Sequence, residues 1–473
     1  MKKIFGNDNF RLALLVLGIL LSRIPFLSEG FGLDGDSWSV VLRAKQLHDT
    51  GLYEVSRLPG YPVQEWLTSL VVGSGPFAVN LLSALFSVLA VVFFVFTLKA
   101  LRFKRPYLAG IALAAVPVFY IHSTTAIDYN YALAFILGSL LFIIKDRIVL
   151  AGIFLGMAVG CRITSGAMFL PFVILMLKPD GVKANVMRIF RLGIPGLVVA
   201  ALLFYPVFKI HGWGFFNFYD VPYPSIPKVL YKFAIEVWGI IGLIALLIVT
   251  CLLFLPNRLT KRQYLFPRSV NEKYVIAWLV AIDLYIIAFL KLPMEAGYLI
   301  PIVPFVILIF GKYLYDKAFI FLCWMLILSP FFGTISPNDR LDASTPSALS
   351  FNFNAASESL NLDLLKGPIL SYNSRRGNGI KLVENVLASM DTVSSKSVLV
   401  SGRWYYQLVV VQGDTLRDKV LFKSYLNEDE AVHFFAKGYE LYYMPMQDVF
   451  NKKMLGIDLN IYGAKPYLNN LEY

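Results

Sequence analysis

The sequence predicts a polytopic α-helical membrane protein of about eleven spans over residues 1–333, followed by a small α/β domain at 334–473. Three observations carry that prediction. The chain of 473 residues is 57% hydrophobic and only 16% charged, with a mean hydropathy of +0.64; soluble domains carry about a quarter charged residues. Apolar runs able to cross a hydrocarbon core of about 30 Å recur through the first two thirds. They stop at the breaker cluster Gly333-Thr334-Ile335-Ser336-Pro337-Asn338-Asp339, after which no stretch is long enough to span.

Taken in order, spans are expected near 12–28, 76–98, 106–121, 129–144, 148–160, 167–177, 192–208, 235–255, 274–290, 299–311 and 318–333. The runs between 148 and 177 are short, so that hairpin is expected to be tilted or broken. Charge placement supports the alternation. The connections at 1–11, 99–107, 145–147, 178–191, 256–273 and 312–317 hold 20 Lys or Arg against 5 Asp or Glu, and the alternate ones hold 9 against 10. Every second loop is therefore cytoplasmic, with the N-terminus inside and the C-terminus outside. No small-x-small site follows the first apolar run, so it is expected to stay as a signal anchor. The setting expected is a bacterial inner membrane, with membrane lipids as constant partners.

The net charge of +12 and pI near 9.3 come from those cytoplasmic loops, because 334–473 is nearly balanced. A nucleic-acid partner gains no support from them. Cys161, Cys251 and Cys323 lie in or at the ends of apolar runs; no disulfide framework, metal cluster or nucleophilic thiol follows. In the tail, 397–401 and 439–444 read as short buried strands. Residues 379–390 and 428–437 read as amphipathic helices, the second opening on acids as a helix start should. No Gly-rich phosphate fingerprint occurs there.

The chemistry gathers in the first outside loop, 29–75. Asp34-Gly35-Asp36 sets two carboxylates one residue apart at the start of a segment, 37–48, whose Trp38, Val41, Leu42 and Lys45 share a helical face suited to the membrane interface. Asp36 could instead be a helix cap and Asp34-Gly35 a turn. The same loop carries Arg57, Tyr61 and Glu65, candidates for substrate contacts. The second outside turn adds His122 and Asp128, the latter a further candidate acid or a cap. Histidine spacing is wrong for a metal site.

Arg162, followed by Thr164 and Ser165, interrupts the short hairpin. An arginine in so apolar a stretch rarely faces lipid; its fork suits a phosphate and the hydroxyls add donors. Snorkelling at a helix end is the alternative. A last outside turn supplies Lys291, Glu295 and Tyr298 before Pro301. Asp283 stands alone within a span, where packing against another polar group explains it better than a proton path.

Together, Asp34-Gly35-Asp36 with its interfacial helix, Asp128, the Arg162-Thr164-Ser165 break and Glu295-Ala296-Gly297-Tyr298 resemble the GT-C superfamily of integral-membrane glycosyltransferases. The resemblance covers roughly 1–333, and its nearest likeness is to bacterial dolichyl-phosphate-mannose-mannosyltransferase-like members. It implies a sugar donor carried on polyprenyl phosphate and an acidic general base in the first loop, here Asp36 or Asp34. It also makes Asp128 the second-loop acid. No sequon-reading motif of the oligosaccharyltransferase kind is present.

A glycosyl phosphate brings its own leaving group, so the protein need only deprotonate a hydroxyl, align it and stabilise the departing phosphate. A carboxylate serves the first need, and Arg162, Lys291 and Arg57 are candidate cations for the last. Attack opposite the phosphate would invert the anomeric centre. Asp34 and Asp36 could also hold a divalent cation such as magnesium or manganese, or act without one. The acceptor would be a hydroxyl on a glycan, lipid or protein. A transporter or flippase of lipid-linked sugars is the rival reading; it predicts ionisable groups deep in several spans and matching broken helices, which this chain lacks.

Overall fold

The computed structural model describes residues 8–216, 223–254, 265–338, 340–355, 358–393, 395–412 and 419–467. Every apolar segment expected to span is helical. Helix α1 is Asp8–Arg23, and α2 (Gly35–Thr50) and α3 (Pro62–Ser69) form the first loop. Then follow α4 (Gly75–Ala100), α5 (Pro106–Ala115), α6 (Pro117–His122), α7 (Tyr129–Ile144), α8 (Ile148–Cys161), α9 (Phe169–Met176) and α10 (Val182–His211). Helices α11 (Ile226–Leu230) and α12 (Val237–Leu253) run together, ahead of α13 (Glu272–Lys291), α14 (Ile302–Tyr313) and α15 (Asp316–Leu328).

Among the described residues, five helical runs are by themselves long and apolar enough to cross a bilayer: Asp8–Phe26, Val72–Ala100, Val182–Phe216, Ile226–Leu253 and Glu272–Lys291. The shorter apolar helices pack among them. Prolines open α3, α4, α5 and α6 at their first turns, where a missing N–H costs nothing. The hairpin expected to be broken is broken at Arg162. Its backbone is extended, with φ −159° and ψ 116°, and a 3₁₀ turn at Ile163–Met168 leads into α9.

Close packing holds α8 to α10. Gly152 and Gly156 sit one turn apart, and a Cβ on either would strike the backbone oxygen of Leu192 or of Gly196. Small residues at such spacing let helix backbones meet where dispersion, not hydrophobicity, drives association. A second close approach bends the α11–α12 run. Gly239 has φ +67° and lies against Ser329, whose hydroxyl donates to Trp238 O and accepts from Gly242 N. Only glycine tolerates that conformation there.

After α15 the chain turns to mixed structure. Strands β1 (Thr334–Pro337), β2 (Ser350–Ala355) and β3 (Glu358–Asp363) form an antiparallel sheet ordered β1-β3-β2. Helix α16 (Pro368–Asp391) follows; it starts eleven residues earlier than periodicity alone marked, on a proline. Beyond it, β4 (Ser397–Val400), β5 (Val420–Lys423), β6 (Glu440–Tyr443) and β7 (Lys465–Pro466) make a parallel sheet ordered β5-β4-β6-β7. Parallel pairing needs crossovers, and Tyr405–Val411 (α17) and Glu428–Ala436 fill two of them.

This tail is fastened to the helical part. Arg376 of α16 is 2% exposed and donates to the carbonyls of Phe26, Glu29, Gly30 and Thr124 at 2.6–3.1 Å. The first and second loops are thus tied to one guanidinium from the tail.

Candidate functional site

Helix α2 is capped by Asp34, not by Asp36. The Asp34 carboxylate accepts from Ser37 N at 2.8 Å and from the Ser37 hydroxyl, which satisfies a first-turn N–H. Asp36, two residues later, is released from local work. Its carboxylate meets Arg57 Nε at 3.1 Å and keeps about two fifths of its surface exposed.

Arg57 is presented by the loop between α2 and α3. Glu65 at the start of α3 shapes that loop, accepting from Tyr53 OH at 2.5 Å, Ser56 N at 2.8 Å and Ser56 Oγ at 2.6 Å. Burial raises the Glu65 carboxyl, and the Ser56 and Tyr53 bonds work the other way. The structure puts Glu65 under the loop, not at its surface. The guanidinium of Arg57 lies 4.0 Å over the Tyr61 ring and donates to Asp128 Oδ1 at 2.9 Å. Burial works against its charge, but Asp36, Tyr61 and Asp128 outweigh that and hold it above the ordinary arginine value.

Asp128 is fully enclosed, and its second oxygen accepts from Arg162 Nη1 at 2.7 Å. The result is a chain Asp36–Arg57–Asp128–Arg162 drawn from four segments. Arg162 stands among the rings of Tyr129 (4.5 Å), Tyr298 (4.6 Å) and Tyr61 (5.7 Å), favourable cation–π neighbours in a poorly hydrated place. Asp128 therefore fixes two guanidiniums side by side, and the Nη1 of Arg57 has no hydrogen-bond partner among the described residues.

A cavity of about 440 Å³ opens beside this chain, lined by Asp34, Gly35, His122, Lys232, Glu236 and Glu295 from the helical part, among others. Tyr372, Arg375 and Arg403 close it from the tail. His122 bonds Val118 O through Nδ1 at 2.7 Å and sits edge-on to Tyr129. Deep in the cavity, desolvation pushes the Glu295 carboxyl up to about 8, more than Lys232 lowers it. For Asp36, desolvation raises the carboxyl above its usual range despite Arg57.

The structure brings together Asp36, Arg57, Tyr61, Asp128, Arg162 and Tyr298, with His122, Glu295 and Asp34 on the adjoining cavity. Lys291 is exposed at the end of α13 and Thr164 is exposed on its turn, whereas Ser165 is buried. Sequence reasoning missed Tyr129 and Lys232, whose Nζ donates to Met294 O at 2.5 Å. It also missed the tail's Tyr372, which receives Leu33 N at 3.1 Å, and the buried Asp342. Burial works to raise the Asp342 carboxyl, but Arg375 at 3.2 Å and Arg403 at 2.6 Å hold it below its usual value. The Pro368 signal for an earlier helix start would have drawn attention to 368–378.

This arrangement defines an integral membrane protein with a polar site walled by the loops between its helices and by the tail. Among solved structures the chain is similar to ArnT from Cupriavidus metallidurans in the apo state, at 10% identity and a TM-score of 0.51, covering 90% of this chain and 91% of that one. It is equally similar to ArnT of the same organism bound to undecaprenyl phosphate, at 13% identity and a TM-score of 0.50, with 91% and 88% covered. The chain has an ArnT-like fold. No protein-family model and no curated protein matches it.

Proposed function

We propose that this protein transfers a sugar from a polyprenyl-phosphate carrier to a hydroxyl acceptor, with Asp36 as general base. The observation that carries the reading is the chain Asp36–Arg57–Asp128–Arg162: a partly exposed carboxylate beside two guanidiniums held in place by a buried acid. The fold shared with ArnT, a GT-C glycosyltransferase, and the undecaprenyl phosphate bound in one of its structures support the carrier class.

The acceptor O–H gives its proton to Asp36 as its oxygen bonds the anomeric carbon. The bond from that carbon to the carrier phosphate breaks, and the phosphate keeps the electron pair. Arg57 and Arg162 face the charge that develops there. Attack from the side opposite the phosphate inverts the anomeric centre. Asp34 serves as the cap that aims the start of α2. The residues present do not fit a protein-built site for magnesium or manganese. Asp34 is spent on Ser37, Asp36 faces Arg57, and no group of three His, Cys, Asp or Glu suited to a metal occurs among the described residues.

Lys and Arg alternation supports a cytoplasmic N-terminus, with the reaction and the tail on the extracytoplasmic face of a bacterial inner membrane. The division into 1–333 and 334–473 follows the end of the last apolar helix, the tail acting as a wall of the cavity. The test incubates purified protein with radiolabelled polyprenyl-phosphate sugars and a panel of hydroxyl acceptors. Label should move to an acceptor, or slowly to water, and not at all with Asp36→Asn. Passage of intact donor across proteoliposomes without any transfer would favour a flippase instead.

A further inference from the structure

The sheet β1-β3-β2 is amphipathic across its two faces. Directly opposed residues share a face in an antiparallel sheet. One face therefore carries the rows Ile335–Leu362–Phe351 and Pro337–Leu360–Phe353. The other carries Ser336–Asn361–Asn352, with an Asn361–Asn352 side-chain bond at 2.7 Å. Ile335, Pro337 and Leu360 line the cavity, together with Thr334 and Ser336 of the other face, and from there the apolar rows run out to the edge strand β2. There Phe351 is 54% exposed.

The base of this sheet lies against the end of the last apolar helix. A Cβ on Gly367 would strike the backbone of Phe331 and Phe332, and Ile369 N donates to Pro330 O. The turn just before Gly367 holds out Leu364 and Leu365, both nearly half exposed, beside Leu349, whose carbonyl accepts from Leu364 N. It is a stiff turn. Asp363 accepts from Leu365 N, Lys366 N, Ser347 N and the Ser347 hydroxyl. Phe332, also exposed, joins this cluster to the lipid-facing surface of α15, where Trp324 and Leu328 are exposed.

An edge strand with exposed phenylalanines invites aggregation in water, and a contiguous apolar patch marks an interaction surface. Continuity with α15 names the partner. We propose that Leu349, Phe351, Leu364 and Leu365 insert into the bilayer leaflet on the side of the carboxylate loops, with acyl-chain hydrocarbon as the occupant. The inserted base fixes the height of the cavity mouth against the headgroups. The apolar face then gives the cavity a hydrocarbon-lined side toward lipid.

The test uses full-length protein carrying Cys251→Ser, since Cys251 is the exposed native cysteine. Single cysteines at Leu349, Leu365 or Asn354 carry an environment-sensitive fluorophore, in nanodiscs of phosphatidylethanolamine and phosphatidylglycerol. Labels at 349 and 365 should shift to the blue and lose emission when the lipids bear nitroxides near the top of the acyl chain. The label at 354, toward the far end of β2 and on the polar face, should do neither. Water-like emission at both 349 and 365 overturns the proposal, and so does equal quenching at 354. Neither reading requires turnover, so a failure here is distinct from a failure of the transferase assignment.

Discussion

One buried arginine and a pair of half-buried ones, on the same side of the molecule, are built on opposite principles. Arg376 is enclosed and spends its guanidinium on four backbone carbonyls. Among the described residues no carboxylate forms an ion pair with it, and desolvation lowers its pKa. Arg57 and Arg162 are instead paired through Asp128, keep partial exposure and face aromatic rings. Among the described residues Arg57 still has a donor, Nη1, without a partner. The first uses charge to hold the fold together, and with four of its five N–H donors on backbone carbonyls it has little left for a ligand. The second keeps charge and donors available, at the desolvation cost that functional sites bear.

The largest effect is expected at Asp36. Asp36→Asn should lower transfer about 10²–10⁴-fold, the usual range for a lost general base, while thermal unfolding stays nearly unchanged. Asp34→Asn should leave both nearly unchanged, because asparagine caps as well as aspartate, and Asp34→Ala should weaken the α2 start by about 1 kcal/mol. If Asp34→Asn alone abolishes turnover at full stability, the base and cap assignments are reversed.

Arg376→Gln should act on stability before activity. Several buried carbonyls would lose their donor, at about 1–3 kcal/mol each, so melting in detergent should fall well before kcat does. A variant that melts normally but fails to turn over would place Arg376 in the functional class.

Arg162→Gln should weaken donor use about ten- to hundredfold, the equivalent of a charge-assisted contact of about 1.5–3 kcal/mol. The Lys variant should recover only part, because it loses the fork. The measurement is donor KM against acceptor KM, and a loss confined to the acceptor rejects the phosphate role.

A smaller effect is expected in the pH profile. Glu295, pushed up to about 8, is neutral at pH 7 and gains charge as pH rises through that value. The new negative charge on the cavity wall should reduce use of an anionic donor above pH 8, and Glu295→Gln should remove that alkaline limb. On the acid side, Asp36 is raised, so the rate should fall as pH drops through a value above the ordinary carboxylate range. The smallest effect is expected from a chelator, which should leave the rate unchanged.

Legibility in the sequence tracked the range of the interactions. Each helix among the apolar runs, the break at Arg162 and the end of the helical part near Phe332 follow from hydropathy, glycine and proline, which act within a few residues. The carboxylates and arginines of the site stood out because charge is rare in an apolar chain. Local pattern could not tell Asp34 from Asp36, since both suit a helix start; the Ser37 contact decided it. Nor could it give Tyr129 a role beside Arg162, or find Arg376, whose partners lie some 250 to 350 residues away in sequence.

The sequence by itself determined that the chain enters a membrane, where its helices run and which residues carry charge, because burial of apolar length and the cost of charge in hydrocarbon are properties of short segments. Only the tertiary structure decided which acid caps α2 and which meets Arg57, that Asp128 serves two arginines, and that the tail closes the site. Those outcomes depend on hydrogen bonds and ion pairs between distant segments, whose geometry exists only once the helices have packed.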